Sequence, residues 1–507
     1  MAGPTGRRHE GGPALSAQLA LLYDLGSTFT KVAAVDLATG ALVAWAKAPS
    51  SVATDVTEGL ETALGEAEAL GGFDRRQAVW RLASSSAAGG LRLVAVGLVP
   101  ELTGEAARRA ALGAGAKVVR TFSYELTSGE VRDLDEARPD IILLAGGTDG
   151  GNKSVILQNA SSLASARTDA PIVVAGNKVV AEEVARVLQA AGKQTWVTEN
   201  VLPSVGVLNV DPARQAIREV FIRRIVHAKG FDRALRYVEG VLMPTPTAVL
   251  TAAQLLAQAA SPARPRDREA GVPAVTPAVW PGGVVVVDVG GATTDVHSIG
   301  KGEPTQPGLI PKGLPEPVAK RTVEGDLGVR WNATSILEAV GVEAIQALME
   351  KVVPGAVAAT PGADVARAVT SLHEETWRVP AASWEIALDY ALAASAVDLA
   401  VSRHAGQIEE VYTPSGKVSV LYGKDLTEFG LLVGTGGPIV SNRLRTAIVR
   451  AALSSERQPL ALKPRRPRTV IDKHYVLYAV GLLAERDRAA AWRLAKASLI
   501  DLQGEPS

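Results

Sequence analysis

The chain has 507 residues, of which 47% are hydrophobic and 21% charged, and its 53 basic and 53 acidic residues give a formal net charge of zero. This composition is typical of a globular protein, the length indicates two or three domains, and the charge balance argues against a broad nucleic-acid-binding or anionic-membrane-binding surface. The absence of cysteine excludes disulfides, cysteine-ligated zinc, iron–sulfur clusters and thiol nucleophiles.

Apolar strands alternate with Ala-rich helices along much of the chain, which indicates an α/β protein. The predicted segments are a disordered tail (1–18), a first lobe (19–209), a helical insertion (210–260), a Pro-rich linker (261–283), a second lobe (284–455), and a basic loop with C-terminal helices that return to the first lobe (456–507). No apolar stretch is long and clean enough to span a bilayer. The apolar stretch 14–23 is interpreted as tail and first strand rather than an export signal, so a cytoplasmic location is expected.

The first candidate binding motif lies at the end of the first predicted strand. Asp24-Leu25-Gly26-Ser27-Thr28 ends this strand, and Lys31 comes three residues later. Gly26 lets the backbone approach phosphate oxygens, while Ser27 and Thr28 supply hydroxyl donors. A carboxylate beside phosphate is expected to hold Mg²⁺, usually through water, and Lys31 would neutralise charge on the outer phosphates.

A second motif of the same kind begins at Asp288, after the valine run 284–287. Asp288 again ends a strand, and the turn that follows it contains Gly290, Gly291, Thr293 and Thr294. Either motif alone could be an ordinary strand-to-turn junction, because Gly and Asp favour turns anywhere. Two copies in one chain favour two similar lobes that hold one phosphorylated ligand, with Asp24 and Asp288 organising the metal ion.

The third motif is a glycine-rich turn after the apolar strand that begins at Leu431. Gly434, Thr435, Gly436 and Gly437 would border an adenosine, because such a turn lets a flat ring lie against bare backbone; the alternative is a plain turn before a helix that starts near Ser441. Residues 478–483 are predicted as a helix in which Ala479 and Gly481 allow close helix packing.

Three further features leave alternatives open. Glu324-Gly325-Asp326 could place a carboxylate that positions the attacking water, or could simply precede a helix capped by Asp326 or Asn332. The turn 146–152 could approach a ligand or be structural. Asp295, His297 and Gly300 fit the cobalamin pattern D-x-H-x-x-G, but the later elements of that signature fail to follow at the right spacing, which disfavours cobalt ligation by His297.

In chain order, these motifs resemble the phosphate-1, phosphate-2, adenosine and second connecting segments of the actin/Hsp70/sugar-kinase ATPase superfamily. Three more stretches, 84–91, 143–152 and 321–330, narrow the resemblance to the glutamate mutase accessory family MutL, which is unrelated to the mismatch-repair protein of that name. The resemblance runs from about residue 21 to about residue 483 and so covers most of the chain.

The resemblance implies a two-lobed, duplicated ribonuclease H-like α/β fold, with ATP and Mg²⁺ as cofactors and cobalamin involved only indirectly. It also implies a slow ATPase that reactivates or assembles an adenosylcobalamin-dependent mutase, either glutamate mutase or an aminomutase. Mutase subunits are the expected partners, and neither nucleic acid nor a membrane is expected. Two alternatives stay open: a small-molecule kinase of the same fold, and a nucleotide-switched scaffold without turnover.

Overall fold

The computed structural model describes residues 18–26, 28–50, 56–86, 91–226, 237–259, 280–414 and 416–502. The predicted tail up to residue 17, Ser27 of the first turn and residues 261–279 of the Pro-rich linker therefore lie outside the described residues.

Nineteen strands lie in the described part of the chain. In chain order, β1 to β19 are Leu19–Leu25, Phe29–Asp36, Leu42–Pro49, Ala78–Ser85, Arg92–Gly97, Lys117–Ser123, Ile141–Leu144, Ile172–Val174, Thr195–Val197, Gly240–Pro244, Val284–Val289, Thr294–Ile299, Ile310–Lys312, Ala319–Glu324, Gln407–Thr413, Gly416–Tyr422, Leu431–Thr435, Arg468–Asp472 and Leu499–Asp501.

Sixteen α-helices lie in the same described ranges. In chain order, α1 to α16 are Val56–Gly71, Glu105–Gly113, Ser128–Ala137, Ser154–Ala164, Ala181–Ala190, Asp211–Val226, Thr245–Ala259, Ala333–Val340, Val342–Val352, Ala356–Ala359, Val365–Ser371, Ser383–His404, Gly437–Ser441, Arg445–Arg450, Leu477–Ala484 and Arg488–Ser498.

The described residues form two compact units. The first contains those within 1–83, 248–312 and 321–507, and the second those within 84–247 and 313–320. The segment boundaries predicted from composition stay predictions, since a division by packing and a division into related lobes need not coincide.

Two sheets of the first unit share one strand order. One sheet contains β3-β2-β1-β4, and the other contains β14-β12-β11-β17, continued by β18 and β19. Strand β1 pairs antiparallel with β2, and β11 pairs antiparallel with β12. Strand β11 also pairs parallel with β17. This repetition is the duplicated ribonuclease H-like arrangement, so the predicted α/β fold class is confirmed.

The first strand of each of these sheets is buried because of its composition. All seven residues of β1 are buried, and so are the four valines that open β11. Apolar and β-branched side chains suit a strand that is covered on both faces. The polar residues Asp24 and Asp288 near the ends of these strands are therefore exceptions that require a chemical explanation.

The long helix α12 packs against the second sheet. Its 22 residues are rich in alanine, and buried members such as Ala391, Val397 and Val401 join the core that also includes Val287 and Leu432. Glu385 accepts hydrogen bonds at 2.9 Å from the N–H groups of Ala381 and Ala382, which fixes where the helix begins.

The helix predicted over residues 478–483 is present as α15, and all eight of its residues are buried. A Cβ on Gly481 would collide with the backbone of Ala248 in α7. This prediction is confirmed, because Gly481 permits the close approach of the two helices. Among the described residues, no helix is both long enough and apolar enough to cross a bilayer.

The second unit contains a separate parallel sheet in the order β6-β5-β7-β8-β9. Counted from its own first strand this is the order 2-1-3-4-5 of flavodoxin-like folds. Its core includes Val94, Ile142 and Val174 from the strands, and Ile156 and Leu188 from the helices.

The glycine-rich turn 146–152 follows β7 of this sheet and is held by two buried asparagines. Asn200 donates to the carbonyl of Gly147 at 3.0 Å, and Asn177 accepts from the N–H of Gly150 at 3.1 Å. Gly147 has a φ of 69°, and a Cβ there would collide with the carbonyl of Asn152. Structural demands of the turn therefore account for Gly147.

Candidate functional site

Four polar side chains form a row across the second sheet of the first unit. Asp288 on β11 pairs in register with Asp295 on β12 and with Thr435 on β17. Thr435 donates its hydroxyl hydrogen to Asp472, at the end of β18, with an oxygen separation of 3.0 Å. The row Asp295–Asp288–Thr435–Asp472, called the acid row below, concentrates three carboxylates at one edge of the sheet.

The corresponding position of the first sheet holds an ion pair. Asp24 on β1 lies opposite Lys31 on β2, and the Lys31 Nζ lies 2.6 Å from the Asp24 Oδ2. The Lys31 ammonium also lies 4.0 Å from the centre of the Tyr475 ring and 5.9 Å from that of Tyr478. Burial would lower the pKa of Lys31, but the neighbouring Asp24 carboxylate outweighs it and raises that pKa above its ordinary value. Lys31 is therefore a permanent cation.

The charge of Asp288 is influenced both by the acid row and by the Asp24–Lys31 ion pair. Burial raises the pKa of Asp288 from 3.8 to about 7, with further contributions from Asp295, Asp24 and Asp472, while Lys31 acts in the opposite direction. Asp24 and Lys31 of the first sheet thus both act on the charge of Asp288 in the second. A partly buried carboxylate whose pKa is raised toward neutrality is suited to a divalent cation, because the cation would stabilise its charged form.

The turn after Asp288 is closed by its own backbone. The N–H of Gly290 donates to the carbonyl of Thr293 at 2.8 Å. The hydroxyl of Thr294 is buried and donates to the Leu327 carbonyl at 2.7 Å, whereas the hydroxyl of Thr293 donates to Asp295 at 3.1 Å. Both threonine hydroxyls therefore donate within the protein and support the turn.

The stretch 321–330 is one of the three that carry the family resemblance. This stretch and the residues just after it hydrogen-bond to the carbonyls of this turn. The N–H of Arg330 donates to the carbonyl of Gly291 at 2.9 Å, and the Asn332 side-chain amide donates to the carbonyls of Ala292 and Gly325 at 2.8 and 3.0 Å. Asn332 precedes α8 but makes no side-chain hydrogen bond as its cap. Its amide instead joins the turn to the supporting segment.

Replacing Gly328 with Ala is expected to displace the turn that contains Gly290 and Gly291. A Cβ on Gly328 would lie 2.6 Å from the Cα of Ala292 and within 2.4 Å of its carbonyl oxygen, so the backbone would have to move. Overpacking of this kind costs about 1–3 kcal/mol. Thermal unfolding should show the loss, whereas Gly65→Ala, in the exposed part of α1 with nothing within 4 Å, should be neutral or stabilising. Equal melting temperatures for the two variants would contradict the role given to Gly328.

The third glycine-rich turn lies against the second. An ideal Cβ on Gly436 would lie 2.8 Å from the Oδ1 of Asp288, and Gly436 has a φ of 101°. A Cβ on Gly434 would collide with Val449, whereas one on Gly437 would meet nothing within 4 Å. The helix after this turn begins at Gly437 rather than near Ser441, because Pro438 occupies its first turn.

In the first turn, Gly26 is required by the hairpin itself. An ideal Cβ on Gly26 would lie 2.5 Å from the carbonyl oxygen of Phe29, and the Gly26 carbonyl accepts a 2.6 Å hydrogen bond from the Ser50 hydroxyl. The Thr28 carbonyl accepts a hydrogen bond from the N–H of Ser50 at 2.9 Å. Ser50 therefore hydrogen-bonds to residues on both sides of this turn.

The carboxylate of Glu324 is held by an arginine. Arg403, in the last turn of α12, places its Nη1 2.8 Å from Glu324 and 2.9 Å from Asp326. Burial raises the pKa of Glu324, although Arg403 opposes this change. The next residue, His404, is buried and hydrogen-bonds the hydroxyls of Thr322 and Ser298 at 2.8 Å each. The end of α12 thus fixes the strand that carries Glu324.

His297 lies on the same face of β12 as Asp295, two residue pairs farther from the turn and opposite Val286. It is fully buried, and among the described residues neither of its ring nitrogens has a hydrogen-bond partner. Burial lowers the pKa of His297 well below its ordinary value, so the imidazole is neutral. Asp295 itself accepts from the Arg321 guanidinium at 2.9 Å.

Three residues of the candidate site were not predicted from the sequence. Asp472 ends the apolar strand β18 in the same way that Asp24 and Asp288 close β1 and β11, and this repeated pattern could have revealed it. Tyr475 and Arg403 carry no comparable local signal, since only the folded chain brings them to Lys31 and Glu324.

The duplicated sheet order, with a carboxylate near the end of the first strand of each sheet, defines the actin/Hsp70/sugar-kinase fold class. Residues 20–499 match the family described as MutL protein. The chain is also 45% identical over 482 residues to Protein MutL of Clostridium tetanomorphum, and the match covers 95% of this chain and 99% of that protein. The chain belongs to the MutL family.

The chain also matches solved structures at much lower sequence identity. Component A of (R)-2-hydroxyglutaryl-CoA dehydratase from Acidaminococcus fermentans is 10% identical, with a TM-score of 0.28 and coverage of 95% of this chain and 99% of that one. The ethanolamine utilization protein EutJ from Carboxydothermus hydrogenoformans is 12% identical, with a TM-score of 0.27 and coverage of 94% and 91%.

Proposed function

We propose that this protein binds ATP with Mg²⁺ between its two related sheets and hydrolyses it slowly. The observation that carries the proposal is the acid row, which contains Asp288. The charges of Asp24 and Lys31, which form an ion pair, also act on Asp288. Three buried or nearly buried carboxylates in one row repel each other, and a hydrated divalent cation bound to phosphates would relieve that repulsion.

Each residue has a role in this proposal. Asp24 and Asp288 hold Mg²⁺ through its water ligands. The backbone at Gly26, Thr28, Gly290 and Gly291 surrounds the phosphates, with Ser27 as a further donor. Among the described residues no three His, Cys, Asp or Glu side chains are placed to hold a metal together, and water and phosphate oxygens would supply the other ligands.

Lys31 and Glu324 complete the proposed chemistry. Lys31 would divide its charge between Asp24 and the outer phosphates, which makes the ion pair part of the binding step. Glu324, held by Arg403, would orient the attacking water. Catalysis of this kind depends mostly on positioning and on charge stabilisation, because the protein forms no covalent bond to the phosphoryl group.

The wider role follows from the family. We propose that the protein is an accessory protein that reactivates or assembles an adenosylcobalamin-dependent mutase, such as glutamate mutase or an aminomutase, and that cobalamin is involved only indirectly. Nucleotide binding and release would alter the lobes and so change the affinity for mutase subunits. The expected location is the cytoplasm.

The nucleotide proposal is tested by calorimetry with ATP and ADP at millimolar magnesium and by phosphate release without an added acceptor. Heat of binding together with steady phosphate release is expected. Turnover that requires an added hydroxyl or carboxylate compound would identify a kinase instead, and binding without any turnover would identify a nucleotide-switched scaffold. No heat with either nucleotide would overturn the proposal.

The partner proposal needs a separate experiment. The protein is immobilised and exposed to purified glutamate mutase subunits with ATP, with ADP and with no nucleotide. Retention of a subunit in one nucleotide state only is expected. Equal retention in all three states, or none in any, would contradict nucleotide-controlled binding to this mutase.

A further inference from the structure

An open groove of about 410 Å³ lies in the second unit, at the carboxyl ends of the parallel strands β5 and β6. Its walls come from the π-helical turn Pro100–Gly104, the first turns of α2 and α3, and the last residues of β6 with Tyr124, which follows them. We call it the Tyr124 groove. Open α/β sheets bind their ligands at the carboxyl ends of the strands, so the lining of this groove is relevant to function.

One wall of the groove is the exposed end of a chain of five charged side chains. Arg108 donates to Glu105 through Nε at 2.6 Å and Nη2 at 2.9 Å, and Arg109 donates to the same carboxylate at 2.7 Å. Arg109 also lies 2.7 Å from Glu316, which in turn lies 3.0 Å from the ammonium of Lys320. Three cations therefore share two carboxylates.

The exposed end of this chain is Arg108. Its side chain is 40% exposed and lines the groove, whereas those of Arg109 and Lys320 are only 13% and 14% exposed. Burial lowers the pKa of Lys320; Glu316 opposes this change, and Arg109 and Arg108 add to it. Cations that share too few carboxylates repel each other, and an anion beside Arg108 would relieve that repulsion.

The end of β6 supplies hydroxyl groups beside this wall. Thr121 and Ser123 both line the groove, and they project to the same side of the strand because they are two residues apart. An ideal Cβ on Gly104 would lie 3.1 Å from the Ser123 Oγ and 3.8 Å from the Thr121 Cγ2, so this glycine leaves room over both side chains. Within the described part of the chain, neither hydroxyl hydrogen-bonds to another residue.

The two carboxylates of the lining are already engaged within the protein. Glu105 is shared by Arg108 and Arg109, as described above. Glu130 accepts from the N–H of Thr127 at 2.9 Å and from its hydroxyl at 2.8 Å, which joins it to the start of α3. The guanidinium of Arg108 and the two hydroxyls of β6 are therefore the groups that can donate to a ligand.

Tyr124 adds an aromatic ring to the groove at a cost to the backbone. Its φ is 66°, in the left-handed region that favours glycine, and the residue is 61% exposed. The buried Asn159 donates to its carbonyl at 2.9 Å, and its own N–H donates to the carbonyl of Leu98 at 3.0 Å, so this conformation is fixed. An exposed tyrosine at a position suited to glycine is explained if its ring contacts a ligand.

We propose that the Tyr124 groove binds a small planar anion, in which a ring carries a phosphate or a carboxylate. The anionic oxygens would accept from Arg108 and from the hydroxyls of Thr121 and Ser123. The ring would pack against Tyr124. This site lies in the second unit, and its residues belong neither to the acid row nor to the Asp24–Lys31 pair, so the proposal is independent of nucleotide binding.

The test compares anions with and without a ring. Calorimetry with phenyl phosphate, benzoate and inorganic phosphate is carried out on the whole protein without magnesium, which the proposed nucleotide site requires. At least one ring-bearing anion should bind more tightly than inorganic phosphate, and which one does so distinguishes a phosphate from a carboxylate ligand. Arg108→Gln should weaken its binding at least about tenfold, because a hydrogen bond to a charged group is lost. Tyr124→Gly should weaken it about threefold to tenfold and leave inorganic phosphate unaffected.

Two controls make the result specific. Glycine adopts a φ of 66° without strain, so Tyr124→Gly should melt at the same temperature as the unchanged protein or higher. Tyr412→Ala removes a tyrosine that is 80% exposed and lies outside the groove, and it should leave every affinity unchanged. The proposal is overturned if none of the three anions binds at millimolar concentration, if the ring gives no advantage, or if Arg108→Gln and Tyr124→Gly bind as tightly as the unchanged protein.

Discussion

Asp288→Asn is expected to abolish ATP hydrolysis and at the same time to stabilise the nucleotide-free protein above pH 7. The two effects have one cause. Asp288 is a partly buried carboxylate whose pKa is raised to about 7, so its charge is unfavourable in the folded protein until a cation compensates it. Asparagine keeps the shape of the side chain and removes both the charge and the proposed metal contact. Activity should fall by at least about a hundredfold, as when a preorganised charge contact is lost.

The sign of the stability change follows from proton linkage. The pKa of Asp288 is 3.8 in the unfolded chain and about 7 in the folded one, so between these pH values the folded protein holds a proton that the unfolded chain has lost. The free energy of unfolding therefore falls as pH rises from about 4 to 7, and the full loss is present above pH 7. At 1.36 kcal/mol per pKa unit, a shift of about three units sets an upper limit of about 4 kcal/mol.

Thermal unfolding without nucleotide or magnesium, at pH 5 and at pH 8, measures this effect. The gain from Asp288→Asn should be larger at pH 8. Asp295→Asn serves as the control in the neighbouring strand, because it removes a carboxylate that accepts from Arg321 and should lower the melting temperature. An Asp288→Asn protein that is less stable than the unchanged one at pH 8 would show that the charged carboxylate stabilises the fold.

Local patterns in the sequence single out the central residues of the candidate site. Asp24 and Asp288 each follow a buried strand and precede a glycine-rich turn, and both facts can be read from a few adjacent residues. The duplicated fold follows from the same repetition. The glycines were also predicted, although the structure gives Gly26 and Gly434 packing roles in addition to any contact with a ligand.

Residues whose partners are distant in sequence could not be predicted in this way. Arg403 and Asp389 lie on α12, whose alanine-rich sequence indicates only a buried helix, and their pairing with Glu324 and Arg330 depends on how that helix packs. The separate parallel sheet of the second unit was missed for a similar reason. Strand and helix alternate there just as they do around it, and only strand pairing separates the order 2-1-3-4-5 from the neighbouring sheet.

Lys31→Met is expected to lose stability, because Lys31 forms an ion pair with Asp24. The double variant Asp24→Asn/Lys31→Met is expected to regain most of that loss. The two side chains are 10% and 2% exposed, and their charged atoms lie 2.6 Å apart. Removing the ammonium alone leaves the buried Asp24 carboxylate without its nearby cation, which typically costs about 3–5 kcal/mol. Removing both charges restores neutrality, and a neutral replacement of a buried ion pair is often harmless to stability.

The single variant Asp24→Asn should be affected less than Lys31→Met. The ammonium it leaves behind still lies over the Tyr475 ring at 4.0 Å, and a cation–π contact of this kind is worth about 0.5–2 kcal/mol. Denaturant unfolding of all four proteins gives the coupling energy between the two residues directly. A coupling energy near zero would mean that the ion pair contributes nothing to the fold.

Activity separates the structural part of this pair from its proposed catalytic part. The double variant should be folded and nearly as stable as the unchanged protein, yet it should release almost no phosphate from ATP, because it lacks both a proposed metal carboxylate and the cation for the outer phosphates. A stable double variant that hydrolyses ATP at the original rate would remove Asp24 and Lys31 from the mechanism and leave Asp288 as the remaining carboxylate of the proposed metal site. Adding Asp24→Asn to Lys31→Met is thus expected to restore stability without restoring ATP turnover.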